Sequence, residues 1–170
     1  MKIPLSRSTV LTFLVIAVLL IGVPGALRRL IQTGGPYLFT KEFFEDLLAR
    51  LFGAGRLRFI LQPTVAALIG MRDGIKDARE GHPPFLLALR SGLAGKNALL
   101  RSAFKSIRDL MSIAILLDVI SQFLIFRRIH PGAALLVGPL LIAVPYAVSR
   151  ALTNRVSRTR IRSARVINQR

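Results

Sequence analysis

Residues 9–27, TVLTFLVIAVLLIGVPGAL, carry no charged side chain over nineteen positions. At 1.5 Å per helical residue, such a run extends close to the roughly 30 Å hydrocarbon core of a bilayer. It predicts a first membrane span. Lys2 and Arg7 precede it in the manner of a signal-peptide n-region, but Val23-Pro24-Gly25-Ala26 is a poor small-residue cleavage site and Arg28-Arg29 follow at once. A retained anchor is therefore expected.

Composition agrees. The 170 residues are 52% hydrophobic, and yet 25 Lys and Arg outnumber 8 Asp and Glu for a net charge of +17. Both facts hold together if the apolar residues gather into lipid-facing runs while the basic ones crowd the connecting segments beside anionic headgroups. The absence of cysteine excludes a disulfide framework, a thiolate metal site, an iron–sulfur cluster and covalent c-type haem attachment.

The segment 41–58, KEFFEDLLARLFGAGRLR, sets Phe43, Phe44, Leu47, Leu48, Leu51 and Phe52 at helical spacing with charges between them, the pattern of a helix lying along the interface. Residues 57–71 are apolar apart from Arg58 and Gln62. As a helix they would reach only about 22 Å, and Pro63 and Gly70 interrupt them. This is a second span, short or tilted, with a re-entrant segment as the alternative. Residues 72–109 form the longest polar connection, with eight Lys or Arg against four acids. They read as a cytoplasmic interfacial loop containing a surface-lying helix. The third span is 110–126. The fourth is 132–150, with kinks expected at Pro139 and Pro145, and 151–170 is a basic amphipathic tail. The predicted architecture is all-α: one membrane domain over 1–170 with four transmembrane helices, three if the second re-enters, plus interfacial amphipathic helices. Four crossings place seventeen basic residues on the side of both termini and eight on the other, which makes the termini cytoplasmic. Arg127-Arg128 are a local exception.

Asp118 sits at the ninth of seventeen positions in LMSIAILLDVISQFLIF. An ionised carboxylate at mid-bilayer costs about 2.5–3.5 kcal/mol even on the lenient insertion scale, so such residues face protein or water and have partners. Ser121 and Gln122 share its helix face, and Arg58, Gln62 or Tyr146 are candidate partners on neighbouring helices. A structural clasp is the simpler reading, one that should tolerate Asp118→Asn. A proton or cation path is the rival, but a single carboxylate with no second acid or histidine in another span is a thin relay.

In RDGIKDAREG the acids Asp73, Asp77 and Glu80 lie on one helical face, and Lys76 is placed to pair with Asp73 and Glu80. A salt-bridged face is simpler than a cation site, and the spacing is not that of a calcium loop. His82 and His130 each precede a proline and read as loop residues on opposite sides of the membrane. SGLAGKNALL lacks the glycine and the Ser or Thr of a phosphate-binding loop. Neither a nucleophile elbow nor a paired-histidine zinc helix is present. The expectation is no catalytic set, no metal site and no cofactor.

In the tail, Arg155, Arg158, Arg162 and Arg165 are spaced 3, 4 and 3, on one helical face beside Leu152, Val156 and Val166. Each Arg near an anionic leaflet contributes about 1 kcal/mol, so lipid-headgroup binding is the preferred reading. RNA or ribosome binding is the rival that charge would permit, but no aromatic side chain is there to stack on bases.

The stretches LRFILQPTVAALIGMRDGIKDAREGHPPFL, LLDVISQFLIFRRIHPGAALLVG and PYAVSRALTNR resemble a recurrent pattern in a family of small bacterial multi-span inner-membrane proteins without known activity. The resemblance implies a bacterial source and a compact membrane unit, and it implies that Arg72, Asp73, Asp118, Gln122, Pro145, Arg150 and Asn154 belong to the pattern. The function these features favour is non-enzymatic: an accessory or assembly subunit packing against a larger membrane complex or its own copies and oriented by anionic lipid. Gly132, Ala133, Ala134 and Gly138 permit the close helix approach this needs. A small transporter or channel using Asp118 is the alternative, and a lipid-acting enzyme ranks third.

Overall fold

The computed structural model describes residues 6–53, 55–90 and 96–168, with side chains over 6–53, 55–87 and 97–163. Among the described residues six helices follow one another: α1 (Arg7–Thr33), α2 (Lys41–Phe52), α3 (Arg58–Arg79), α4 (Phe85–Arg90), α5 (Lys96–Phe126) and α6 (Pro131–Asn168). No strand occurs among the described residues. Three helical stretches, Arg7–Thr33, Asn97–Phe126 and Pro131–Ser163, are long and apolar enough to cross a membrane. The helix covering the second apolar segment, α3, is not among them.

Local chemistry sets the ends. Ser6 caps α1 by accepting from the Thr9 N–H, and Gly34 closes it in the left-handed conformation at φ 68°, which glycine adopts without a Cβ clash. Thr40 caps α2 in the same way as Ser6, by accepting from the Phe43 N–H, and Glu42 in the first turn complements the helix dipole. Pro131 opens α6, where a missing N–H removes no helical bond.

Two boundaries drawn from composition are not breaks in the backbone. The surface helix expected before residue 110 and the third span are one continuous α5, because residues 96–126 contain neither glycine nor proline to stop a helix. The fourth span and the basic tail are likewise one helix, which runs on through Pro139 and Pro145.

The chain divides into two compact units, Met1–Gln62 with Arg108–Leu141 and Pro63–Ile107 with Ile142–Arg170. In the first, α1 and α5 run parallel. Ser8 Oγ donates to Asp109 Oδ1 at 2.8 Å, Val15 packs with Ile115, Val119 and Ala134, and Gly22 lies against Ile129 and Pro131. α6 returns antiparallel to α5, with Gly138 against the backbone of Ala114 and Ile115. A second cluster joins Phe43 of α2 to Ala133 and Val137 of α6. Val15 and Gly22 are the only buried residues of α1, so most of its apolar surface is left exposed by the rest of the protein.

In the second unit, α3 and α6 run parallel and touch at two glycines. A Cβ on Gly70 would lie 2.4 Å from the Tyr146 carbonyl oxygen, and one on Gly74 would lie 2.4 Å from that of Arg150. Ser149 Oγ donates to the Ala67 carbonyl at 2.7 Å, and Phe85 packs edge-on against Tyr146.

Gly70→Ala should lower the thermal midpoint in detergent by the equivalent of about 1–3 kcal/mol, because the helices must separate to admit the methyl group. Gly25→Ala, where nothing lies within 4 Å of the new Cβ, should change stability by less than about 1 kcal/mol.

A buried ionic clasp as candidate functional site

Asp118 is fully enclosed in the first unit. Its carboxylate meets Arg58 Nη2 through Oδ1 in a close ion pair. Arg50 Nη1 lies 3.3 Å from both carboxylate oxygens. Gln122 Nε2 donates to Oδ2 at 2.6 Å. Three nitrogens, two of them from guanidinium groups, thus converge on the two carboxylate oxygens. Gln122 then turns its other end outward, its Oε1 accepting the His130 backbone N–H at 2.7 Å, which ties α5 to the turn before α6.

The turn between α2 and α3 brings the two arginines together. Gly55 adopts φ 97°, a conformation nearly closed to side chains. A Cβ there would also stand 2.7 Å from Ser121 Oγ. The turn therefore closes against α5 only with glycine at this position. Arg50 Nε donates to the Asp46 carbonyl at 3.2 Å. The Asp46 carboxylate accepts from Tyr37 at 2.5 Å, and the Tyr37 ring stacks on His130 with centroids 3.8 Å apart.

The residues that the sequence singles out here, Asp118, Ser121, Gln122, Arg58 and Gln62, are all buried in this unit. The Gln62 amide has no hydrogen-bond partner among the described residues. Tyr146, the other candidate, instead donates to Asp73 at 2.7 Å. Arg50 escapes the sequence reading, although a signal exists: with Phe43 and Leu47 it forms an i, i+4, i+7 stripe, and Phe43 and Arg50 are the buried residues of α2. Its presence revises the expected tolerance of Asp118→Asn, since the neutral isostere would leave two enclosed guanidinium groups without a carboxylate. His130 is also more than a loop residue. Burial, followed by the nearby Arg29, lowers its pKa below the ordinary histidine value, and burial, followed by the bond to Asp46, raises that of Tyr37.

In the second unit Asp73 and Asp77 of RDGIKDAREG take partners that no intrahelical rule supplies, while Glu80 keeps the expected Lys76. Arg150 Nε and Nη2 bind Asp77 at 2.6 and 2.9 Å, and Arg150 Nη1 donates to the Tyr146 hydroxyl at 2.8 Å. Lys76 approaches Glu80 at 3.9 Å, while Asp73 is taken by Tyr146 rather than by Lys76. Ligand atoms of Asp77, Glu80 and His82 lie within 4.8 Å of one another, but both Asp77 oxygens already hold Arg150, so the group is read as an ion-pair network. Of the tail arginines, Arg155 and Arg162 are exposed. Arg158 donates to the Gly81 carbonyl at 2.9 Å, beside a bond from Asn154 to the His82 carbonyl at 3.2 Å. The Arg165 side chain lies outside the described residues.

Asp118→Asn should destabilise the protein by about 3–5 kcal/mol, because removing one partner of a buried ion pair leaves charge uncompensated. Combined with Arg58→Gln it should cost less than the two single changes added together, as read from thermal midpoints in a double-mutant cycle. The His130 shift gives a pH dependence of known sign. With its folded pKa lowered, the unfolded chain takes up the proton first. Stability is therefore intact above about pH 6.5 and falls as pH drops through that value. His130→Gln should flatten the midpoint between pH 7.5 and 5.5.

No family model, curated protein or solved structure matches the chain, so its own geometry is the basis for a reading of function.

Proposed function

We propose that the chain is a non-enzymatic integral protein of a bacterial cytoplasmic membrane. In this reading it is an accessory or assembly subunit that packs against a larger complex or its own copies, docked to anionic lipid through the basic second half of α6. The observation that carries the reading is the enclosure of Asp118 between two guanidinium groups. A fully buried acid paired with Arg50 and Arg58 and bonded by Gln122 ties helices together and is already neutralised against a travelling proton or cation.

The reading has four crossings, with α3 as the short one and both termini cytoplasmic. Within the first unit α6 runs antiparallel to α5 and to α1, as alternate crossings require. The charge count of seventeen against eight favours the same orientation. The exposed Arg155 and Arg162 support lipid docking by the tail.

Extraction in a mild neutral detergent, followed by native mass spectrometry, should give a species heavier than the 18.7 kDa chain, with added mass from further membrane subunits or further copies. Two results would overturn the proposal: a bare protomer under every gentle condition, or a proton flux in reconstituted vesicles that Asp118→Asn abolishes while the fold persists.

A further inference from the structure

The first unit carries a second concentration of charge, remote from the clasp in kind and in solvent access. Because α1 and α5 run parallel, their C-terminal ends meet. Arg28 and Arg29 near the close of α1 and Arg127 and Arg128 just beyond α5 line a common cleft of about 500 Å³. Glu42 is the one acid in its wall, and Arg29 already grips it through both guanidinium nitrogens while lying 4.6 Å over the Tyr37 ring. Among the described residues, Arg28, Arg127 and Arg128 have no carboxylate within ion-pair distance. Four arginines less one glutamate leave a wall charge of +3. Two helix C-termini offer about half a negative charge each, so most of that surplus goes unanswered by the protein.

Two further observations point to an occupant. Arg127 stands at φ 55°, the left-handed position that ends many helices and that glycine or asparagine fills at least cost. An arginine held there, with its guanidinium 5.7 Å from the Phe123 ring, is directed by its backbone and by a neighbour. Below the arginines the wall turns apolar at Ile21, Phe123 and Ile129. At Gly25 in the same wall an added Cβ would meet nothing within 4 Å. Charge above and hydrocarbon below is the profile of an amphiphile rather than of a soluble anion.

We propose that this cleft binds one anionic phospholipid, its phosphate diester seated among Arg28, Arg127 and Arg128 and one acyl chain descending past Gly25. The proposal rests on α1 and α5 spanning a bilayer, which brings their ends to headgroup depth, and is independent of the basic tail. It also gives Arg127-Arg128 a role on the side of the membrane where the positive-inside bias does not call for them.

The test uses the full chain reconstituted into phosphatidylcholine nanodiscs. These are doped with a phosphatidylglycerol probe bearing a photoreactive diazirine on its acyl chain, or with the matching phosphatidylcholine probe, and adducts are mapped by peptide mass spectrometry. The phosphatidylglycerol probe should label residues 21–33 and 123–129 well above the phosphatidylcholine probe. Arg127→Gln with Arg128→Gln should lower that preference by roughly tenfold. Gly25→Leu should abolish labelling with all four arginines retained. Should the double variant fail to reconstitute, Arg128→Gln alone serves, with a smaller loss of the same sign. Equal labelling by both probes, labelling unchanged in the variants, or loss of labelling on adding inorganic phosphate at 10 mM would overturn the lipid assignment. Failure of the membrane reading itself is distinct, because the chain would then stay out of the nanodisc fraction before any irradiation.

Discussion

Removing a carboxylate and two guanidinium groups from water is the constraint around which the first unit is organised. Each ion gives up several kcal/mol of hydration, and only close, well-directed opposite charge recovers it. Asp118 is therefore tolerable only when Arg50 and Arg58 are both in place, and they come from different helices. α2, the start of α3 and α5 must converge on one point. The glycine turn at Gly55 allows the two arginines to be near neighbours, and the Gln122 bond to the His130 backbone carries the same fixation to the start of α6. The second unit repeats the logic with other residues. Asp77 and Asp73, four apart on α3, meet Arg150 and Tyr146, four apart on α6. That ladder works because the two helices are parallel and in register.

Close approach is the complementary requirement. Aspartate is short compared with the usual separation of helix axes, so its buried pairs are favoured where backbones come together. Gly70 and Gly74 supply this for the Asp73–Tyr146 and Asp77–Arg150 pairs, each glycine lying three residues before the acid it serves. Gly138, with Ala133 and Ala134 nearby, brings α6 against α5 in the same way through apolar packing.

The apolar bodies of α1, α5 and α6, long and apolar enough to cross a membrane, are legible in the sequence because a window of residues without charge is visible before any tertiary contact is known. Asp118 is legible for the converse reason, as the lone charge in such a window, and Arg58 and Gln122 follow from it. Arg50 is not, because α2 alternates charge and hydrophobe, and an arginine there reads as an ordinary polar face until α5, 68 residues later, is folded against it. The partners of Asp73 and Asp77 escape for the same reason. Spacing rules within one helix predict Lys76 as the partner of Asp73, but Tyr146 on another helix takes it, and a bidentate Arg150 on that helix takes Asp77. The boundaries at 109/110 and 150/151 mark a change in side-chain composition along the helix, and backbone hydrogen bonding is indifferent to that change.

The clasp also has an order in time. Arg50 and Arg58 leave the ribosome 68 and 60 residues ahead of the acid that neutralises them, an interval of about 3–14 s at roughly 5–20 residues per second. Until then the two guanidinium groups have no Asp118 carboxylate to enclose them, so the burial of α2 and the head of α3 within the first unit is completed only after α5 has emerged. The early half of the chain is finished by the late half.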